Sequence, residues 1–186
     1  MKEYQGQKLS PISAFRENSI KGPQHIDIET YRLKITGLVA SPASSTYDEV
    51  ISQYPHHEKV VRMECVEGWG TTILWEGVLA GDLLAKARPL PEAKIAICRA
   101  YDGDTTSLPI EYLTGRDVLL AYKMNEVILP PERGFPFHLV AEGKWGYKWL
   151  RWLTEIELSA DAAYRCFWES RGYANGGDLD KGFLGD

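Results

Sequence analysis

Lys59-Val-Val-Arg-Met-Glu64 runs without a break into Cys65-Val-Glu67-Gly-Trp69-Gly70. The first half has the apolar, β-branched pattern of a strand. The second half breaks that pattern and opens on a cysteine followed by a carboxylate, a glycine and a tryptophan. A loop anchored by a rigid element is where a scaffold presents a reactive group, and a thiolate is a soft ligand suited to a soft metal. A lone cysteine in such a place is more often a small buried hydrophobe. Cys65 therefore carries two readings, and Cys98, inside an apolar strand pattern, only the second.

Upstream, Tyr31-Arg-Leu-Lys-Ile-Thr36 alternates apolar and polar residues and stops at Gly37, a half-buried strand. Thr46 to Gln53 suits a short helix, with Ser45 or Thr46 as its N-cap and Asp48 and Glu49 in the first turn. Downstream, Val78 to Ala87 places Leu79, Leu83 and Leu84 on one helical face. Ile95–Arg99, Val118–Met124, Phe135–Val140 and Thr154–Leu158 read as further strands, with a polar Asp102-Gly-Asp104 turn after the first. The class expected is α+β, predominantly β. Its organisation is an irregular arm over residues 1–29, one domain over 30–174, and an acidic, Gly-rich tail over 175–186 lying on the surface or frayed.

At 186 residues the chain suits one domain with a sizeable core. Seventeen Gly, ten Pro and ten Tyr favour strands and loops over long helices. The formal charge of −5 argues against a general attraction to nucleic acid. Apolar runs stop at about five residues against the roughly 20 a membrane span needs, and Met1–Ser10 has no apolar signal stretch. Three widely spaced cysteines give neither a disulfide framework nor a CxxC site, so the expected compartment is the cytoplasm.

Arg133, His138, Lys144, Lys148 and Arg151 face one acid, Glu142, within the segment they span. Cations that converge could hold a phosphate; a solvated basic face is the commoner outcome of such a run. Trp145, Trp149 and Trp152 follow helical spacing there, more often a core stripe than a cofactor box. His56-His57-Glu58, in a polar loop after Pro55, reads as exposed rather than metal-binding. No P-loop, Rossmann fingerprint, GxSxG or HExxH is present.

Five ordered stretches together resemble the molybdopterin-binding domain of the sulfite oxidase family, over nearly the whole chain. Phe15-Arg16-Glu-Asn18 and Ile26 to Gly37 are similar to the family's arm and first strand. Arg62 to Trp69, with Trp75-Glu-Gly77-Val, resembles the metal-ligand loop, especially that of bacterial periplasmic methionine-sulfoxide reductases. Val118 to Asn125, with Leu129-Pro and Gly134-Phe-Pro136, is similar to the segment before the pterin site. Gly146-Tyr-Lys148-Trp-Leu-Arg151-Trp resembles the closing phosphate clamp. The resemblance implies a molybdenum oxidoreductase with molybdopterin as cofactor and Cys65 as the one protein ligand of the metal. Asn18, Arg16, Arg133, His138, Lys148 and Arg151 would bind the cofactor, the last two matching the clamp.

Three departures bear on function. The family's His-Gly-x-Pro-x-Arg stands here as Arg133-Gly-Phe-Pro-Phe-His138, so the two cationic types have exchanged places and His138 would be charged only at lower pH. The arginines that sulfite oxidases place after the ligand cysteine give way to Glu67, and Asn18 takes the place of the arm arginine, two residues past Arg16. A carboxylate beside the metal repels an oxyanion, which points to transfer of an oxygen atom to or from a small neutral substrate, such as a sulfoxide reduced to a sulfide. Burial would fit Glu67 to supply protons, whereas bonding to backbone amides would make it structural. Asn18, Glu67 and Tyr101 or Tyr173 would line the substrate side. Lastly, no haem or dimerisation domain is evident, so a separate electron-transfer partner is expected. The alternatives are a sulfite oxidase or dehydrogenase using Arg16, a non-catalytic cofactor-binding or electron-transfer module, and a metal-free binding domain on the same fold.

Overall fold

The computed structural model describes residues 3–185; Met1, Lys2 and Asp186, at the ends of the arm and the tail, lie outside the described residues. The arm opens with a small hairpin, β1 (Glu3–Tyr4) and β2 (Gln7–Lys8), whose Tyr4 hydroxyl donates to Glu58. Ser10 then pairs with the backbone of Thr72 and accepts from the Asn125 amide, which brings Phe15 into the core.

β3 (Leu33–Gly37) keeps the alternation read in the sequence: Tyr31, Leu33 and Ile35 are buried, Arg32 and Lys34 exposed. It begins two residues later than expected because Tyr31 is spent on tertiary contact, its hydroxyl donating to the Leu153 carbonyl. β4 (Ala43–Ser45) leads to α1 (Tyr47–Gln53). Thr46 caps that helix in a reciprocal box with Glu49, which satisfies two otherwise orphaned groups.

β5 (His57–Glu64) and β6 (Gly70–Leu79) form a long antiparallel pair joined by the Cys65–Trp69 loop. α2 (Ala80–Ala87) follows directly. The helix expected from Val78 starts two residues later, because Val78 and Leu79 still pair with Leu120 and Leu119 across the sheet. β7 (Ile95–Ala100) and β8 (Thr105–Pro109) make a hairpin, and α3 (Ile110–Gly115) leads to β9 (Leu119–Met124) and β10 (Val127–Ile128). β11 (His138–Val140) and β12 (Leu153–Ser159) complete the fold.

Two five-stranded sheets share one core. In the first, β9 pairs with β6 on one edge and with β10 and β11 on the other, while β5 flanks β6. In the second, the order is β4-β3-β12-β7-β8, with β12 parallel to β3. Trp75 on β6 is wholly enclosed, its ring 5.7 Å from Phe15, 4.9 Å from His138 and 5.9 Å from Trp149. Replacing an enclosed aromatic of this size by alanine costs about 3–5 kcal/mol.

Other expectations change. Phe135–Val140 is strand only from His138, since Pro136 offers no N–H to a ladder. The tryptophan spacing marks no helix: the segment is a single 3₁₀ turn, Gly146–Lys148, in which Trp149 and Trp152 turn inward and Trp145 packs on Phe183. The tail is docked rather than frayed, with Asp178 paired to Lys144 and the Gly177 carbonyl accepting from Trp145. Among the described residues no helix is long and apolar enough to cross a membrane.

Candidate active site

Cys65 begins where the β5–β6 ladder ends. Its N–H donates to the Trp69 carbonyl at 2.8 Å and its carbonyl accepts from Gly68 at 3.0 Å, closing a tight loop. Gly68 sits there at φ +80°, where a side chain would be strained. The thiol faces a cavity of about 140 Å³ where the arm, the end of β5, the β7–β8 turn and the Gly146–Lys148 turn converge. Asn18, Glu67, His138 and Arg151 lie on the same wall, as do Asp102, Asp104, Trp168 and Tyr173.

The thiol is held from two sides. Asn18 Nδ2 donates to Cys65 Sγ at 3.6 Å, and Glu67 Oε2 accepts from the thiol at 3.8 Å. Burial pushes the Cys65 thiol up from its ordinary pKa and the Glu67 charge adds to this, while the Glu67 backbone N–H and the Asn18 amide pull it down. Glu67 is exposed, and its carboxylate accepts from the Trp69 indole at 2.8 Å. The burial on which its proton-supplying role depended is absent.

His138, the first residue of β11, is 1 % exposed. Its Nδ1 lies 2.9 Å from the Arg133 carbonyl and so carries the hydrogen, which leaves Nε2 as a buried acceptor without a partner. Burial first, and then the Arg151 charge, lower its pKa to about 3. His138 is therefore a neutral acceptor, not the phosphate-holding cation expected from its exchange with Arg133. Among the described residues Arg151 is the only lysine or arginine on the cavity wall, and it donates to Asn18 Oδ1 at 3.0 Å, to the Arg16 carbonyl at 2.9 Å and to Glu17 at 3.3 Å.

Of the remaining expected residues all but Tyr173 stand apart from this wall. Arg16 is exposed, its guanidinium 5.6 Å from the centre of the Trp69 ring. Arg133 donates to the Glu132 carbonyl while its Nε is buried without a partner. Lys148 is sealed behind the wall, donating to Glu169 and to the Asn175 carbonyl. The clamp lysine is thus already neutralised within the chain. Tyr173 lines the cavity, but Tyr101 is 58 % exposed and does not. The sequence reading passed over Asp102, Asp104, Ser19 and Trp168. Two acids flanking a glycine after a buried strand could have flagged the first pair; nothing local marks Ser19 or Trp168.

A family model, the oxidoreductase molybdopterin binding domain, matches residues 20–168. The chain belongs to that family. It is an oxidoreductase of sulfite oxidase type whose cofactor is molybdenum–molybdopterin. The uncharacterized oxidoreductase YuiH of Bacillus subtilis (strain 168) is 34 % identical over 157 residues, which is 84 % of this chain and 78 % of that protein. The crystal structure of the sulfane dehydrogenase SoxCD from Paracoccus pantotrophus aligns with a TM-score of 0.73 and 25 % identity. That alignment covers 83 % of this chain but 43 % of the longer SoxCD chain.

The residues present fit this cofactor at its metal end. A buried thiol with two N–H donors around its sulfur suits a thiolate–metal bond. The partnerless Nε2 of His138 and the Arg151 guanidinium offer an acceptor and a cation to a polar, anionic organic group.

Proposed function

We propose that this molybdopterin oxidoreductase removes an oxygen atom from a small neutral substrate, with reduction of a sulfoxide to a sulfide as the leading case. One observation carries the reading: three acidic side chains, Glu67, Asp102 and Asp104, line a cavity whose one lysine or arginine among the described residues, Arg151, is already engaged by Glu17 and Asn18. An oxyanion such as sulfite needs free cationic partners, and a neutral oxide does not. The cavity of about 140 Å³ suits small-molecule groups.

When bound, the cofactor supplies the two-electron redox capacity. Cys65 would hold its metal, and Asn18 would steady the sulfur through its amide N–H. Arg151 and His138 would orient the organic part, one as cation and one as acceptor. Arg16, Arg133 and Lys148 are proposed to act further out, and a phosphate reaching Lys148 has to displace Glu169. Electrons come from a separate protein partner. Free thiols at Cys65, Cys98 and Cys166 support a reducing, cytoplasmic compartment.

The likeness to a sulfane dehydrogenase supports a second reading, oxidation of sulfur by the same site. Metal and pterin analysis of protein from a molybdate-supplied host, wild type against Cys65→Ser, tests the site. Near-stoichiometric molybdenum with an altered metal spectrum and lost turnover in the variant is expected; full activity in Cys65→Ser overturns the ligand assignment. Assays with sulfoxides, sulfite and a sulfane-sulfur donor separate the two directions.

A further inference from the structure

The β7–β8 turn puts two carboxyl groups, Asp102 and Asp104, on the cavity wall that carries Cys65. Asp102 is 2 % exposed, and its Oδ1 accepts the Asp104 N–H at 3.0 Å. Asp104 accepts the Thr105 N–H at 2.8 Å and a hydrogen bond from the Trp168 indole. Among the described residues neither acid has an ion-pair partner within 4.0 Å. Two neighbouring carboxyls shielded from water do not both ionise readily, so one of them tends to keep its proton.

The surrounding charges decide where that proton sits. Burial pushes Asp102 up as well, but the Asp104 N–H, Lys21 from the arm and Arg151 counter it and favour its charged form. Asp104 faces Asp102 itself and Glu169, both of which disfavour its ionisation. Burial and these neighbours push Asp104 up to about 7. The same cavity carries the buried, partnerless Nε2 of His138, a separate sign that it is shaped for a polar ligand.

We infer that Asp104 is a second acid of the active site, holding a proton that it donates as a hydrogen bond to the oxygen of a neutral oxide substrate, a sulfoxide or an amine N-oxide. Asp102 is its positioning residue, the charged neighbour that keeps the proton on Asp104. This deepens the proposed oxygen removal and rests on it for the substrate. Removing the oxygen as water takes two protons, one that Asp104 would supply and one from solvent, and two electrons, which the bound molybdenum cofactor would supply.

The test compares wild-type holoprotein with Asp104→Asn, Asp104→Leu and Asp102→Asn, all checked for unchanged molybdenum and pterin content. Infrared difference spectra across a pH titration read the proton without turnover. A protonated-carboxyl C=O band that disappears near pH 7 in wild type is expected, absent in Asp104→Asn and shifted to lower pH in Asp102→Asn. With dimethyl sulfoxide as substrate, Asp104→Leu raises KM about tenfold or more, the loss of one hydrogen bond to a polar group. Asp104→Asn, which keeps a donor, holds KM within about threefold while kcat falls and its alkaline limb flattens. A spectrum with no protonated carboxyl at neutral pH, or an unchanged KM in Asp104→Leu, overturns the inference. If wild type reduces no oxide, the oxygen-removal reading fails, and the infrared titration still decides the proton on Asp104.

Discussion

Asn18 and Arg151 meet end to end, Oδ1 of the amide accepting from the guanidinium at 3.0 Å while Nδ2 of the same amide reaches Cys65 Sγ at 3.6 Å. The arm and the closing basic segment are joined at one side chain, and that side chain touches the proposed metal ligand. Because Arg151 also holds the Arg16 carbonyl and Glu17, it docks three consecutive arm residues.

Replacing Arg151 by lysine keeps the charge and removes the fork that makes those contacts. Hydrogen bonds to a charged group are worth roughly 1.5–3 kcal/mol each, so the arm around residues 16–18 should loosen. The expected signs are faster alkylation of Cys65 by iodoacetamide and earlier proteolytic cutting within residues 10–22. Alkylation at the wild-type rate would mean that Arg151 does not organise the arm.

Lys148 and Glu169 form an ion pair at 2.5 Å with side chains 0 % and 1 % exposed. Removing one partner of such a pair leaves a charge buried and costs about 3–5 kcal/mol, whereas replacing both by apolar residues is often neutral. Glu169→Ala should therefore lower stability to urea far more than the double replacement Lys148→Met with Glu169→Leu. In the double variant, molybdopterin content then reports on the clamp: a drop is expected if Lys148 takes the phosphate.

His138 bears on acid stability. Its pKa in the folded protein lies near 3, against about 6.5 in the unfolded chain, so between these values the unfolded state binds a proton that the native state does not. Native stability from this group is full above about pH 6.5 and falls as pH drops through that window, by up to about 1.4 kcal/mol per unit. His138→Gln should lose less stability than wild type between pH 7 and pH 4.5 in urea titrations. Equal losses in the two proteins, or an imidazole that NMR finds charged at pH 5, would contradict this.

Gly37 ends β3 at φ +76°, and a Cβ there would lie 2.2 Å from the Leu158 carbonyl of the parallel partner strand. The clash is with backbone, so no side chain can move aside. Gly37→Ala should cost more than about 2 kcal/mol, read as a lowered melting temperature with the Cys65 loop otherwise intact.

Much was legible in the sequence because it depends on near neighbours. The alternation over Tyr31–Thr36 marked a strand face, Ser45 or Thr46 before Asp48 and Glu49 marked the start of a helix, and the broken pattern at Cys65 marked a loop at a strand end. Ordered motifs added the family, since each records a local arrangement of ligand-bearing residues. Spacing misled at Trp145, Trp149 and Trp152, where periods of four and three fit a helix and also a 3₁₀ turn followed by extended chain.

The amino-acid sequence by itself determined the strand faces, the first helix and the cysteine loop, because hydrophobic periodicity and capping act over a few residues. Only the tertiary structure decided which charges survive at the site. Lys144 and Lys148 are neutralised by Asp178 and Glu169 from later in the chain, burial and Arg151 push the His138 pKa down, and burial and the Asp102 charge push that of Asp104 up. Desolvation and ion pairing depend on what the fold brings together across distant parts of the chain, so of the basic run read in the sequence only Arg151 and a neutral His138 reach the cavity, which Glu67, Asp102 and Asp104 also line.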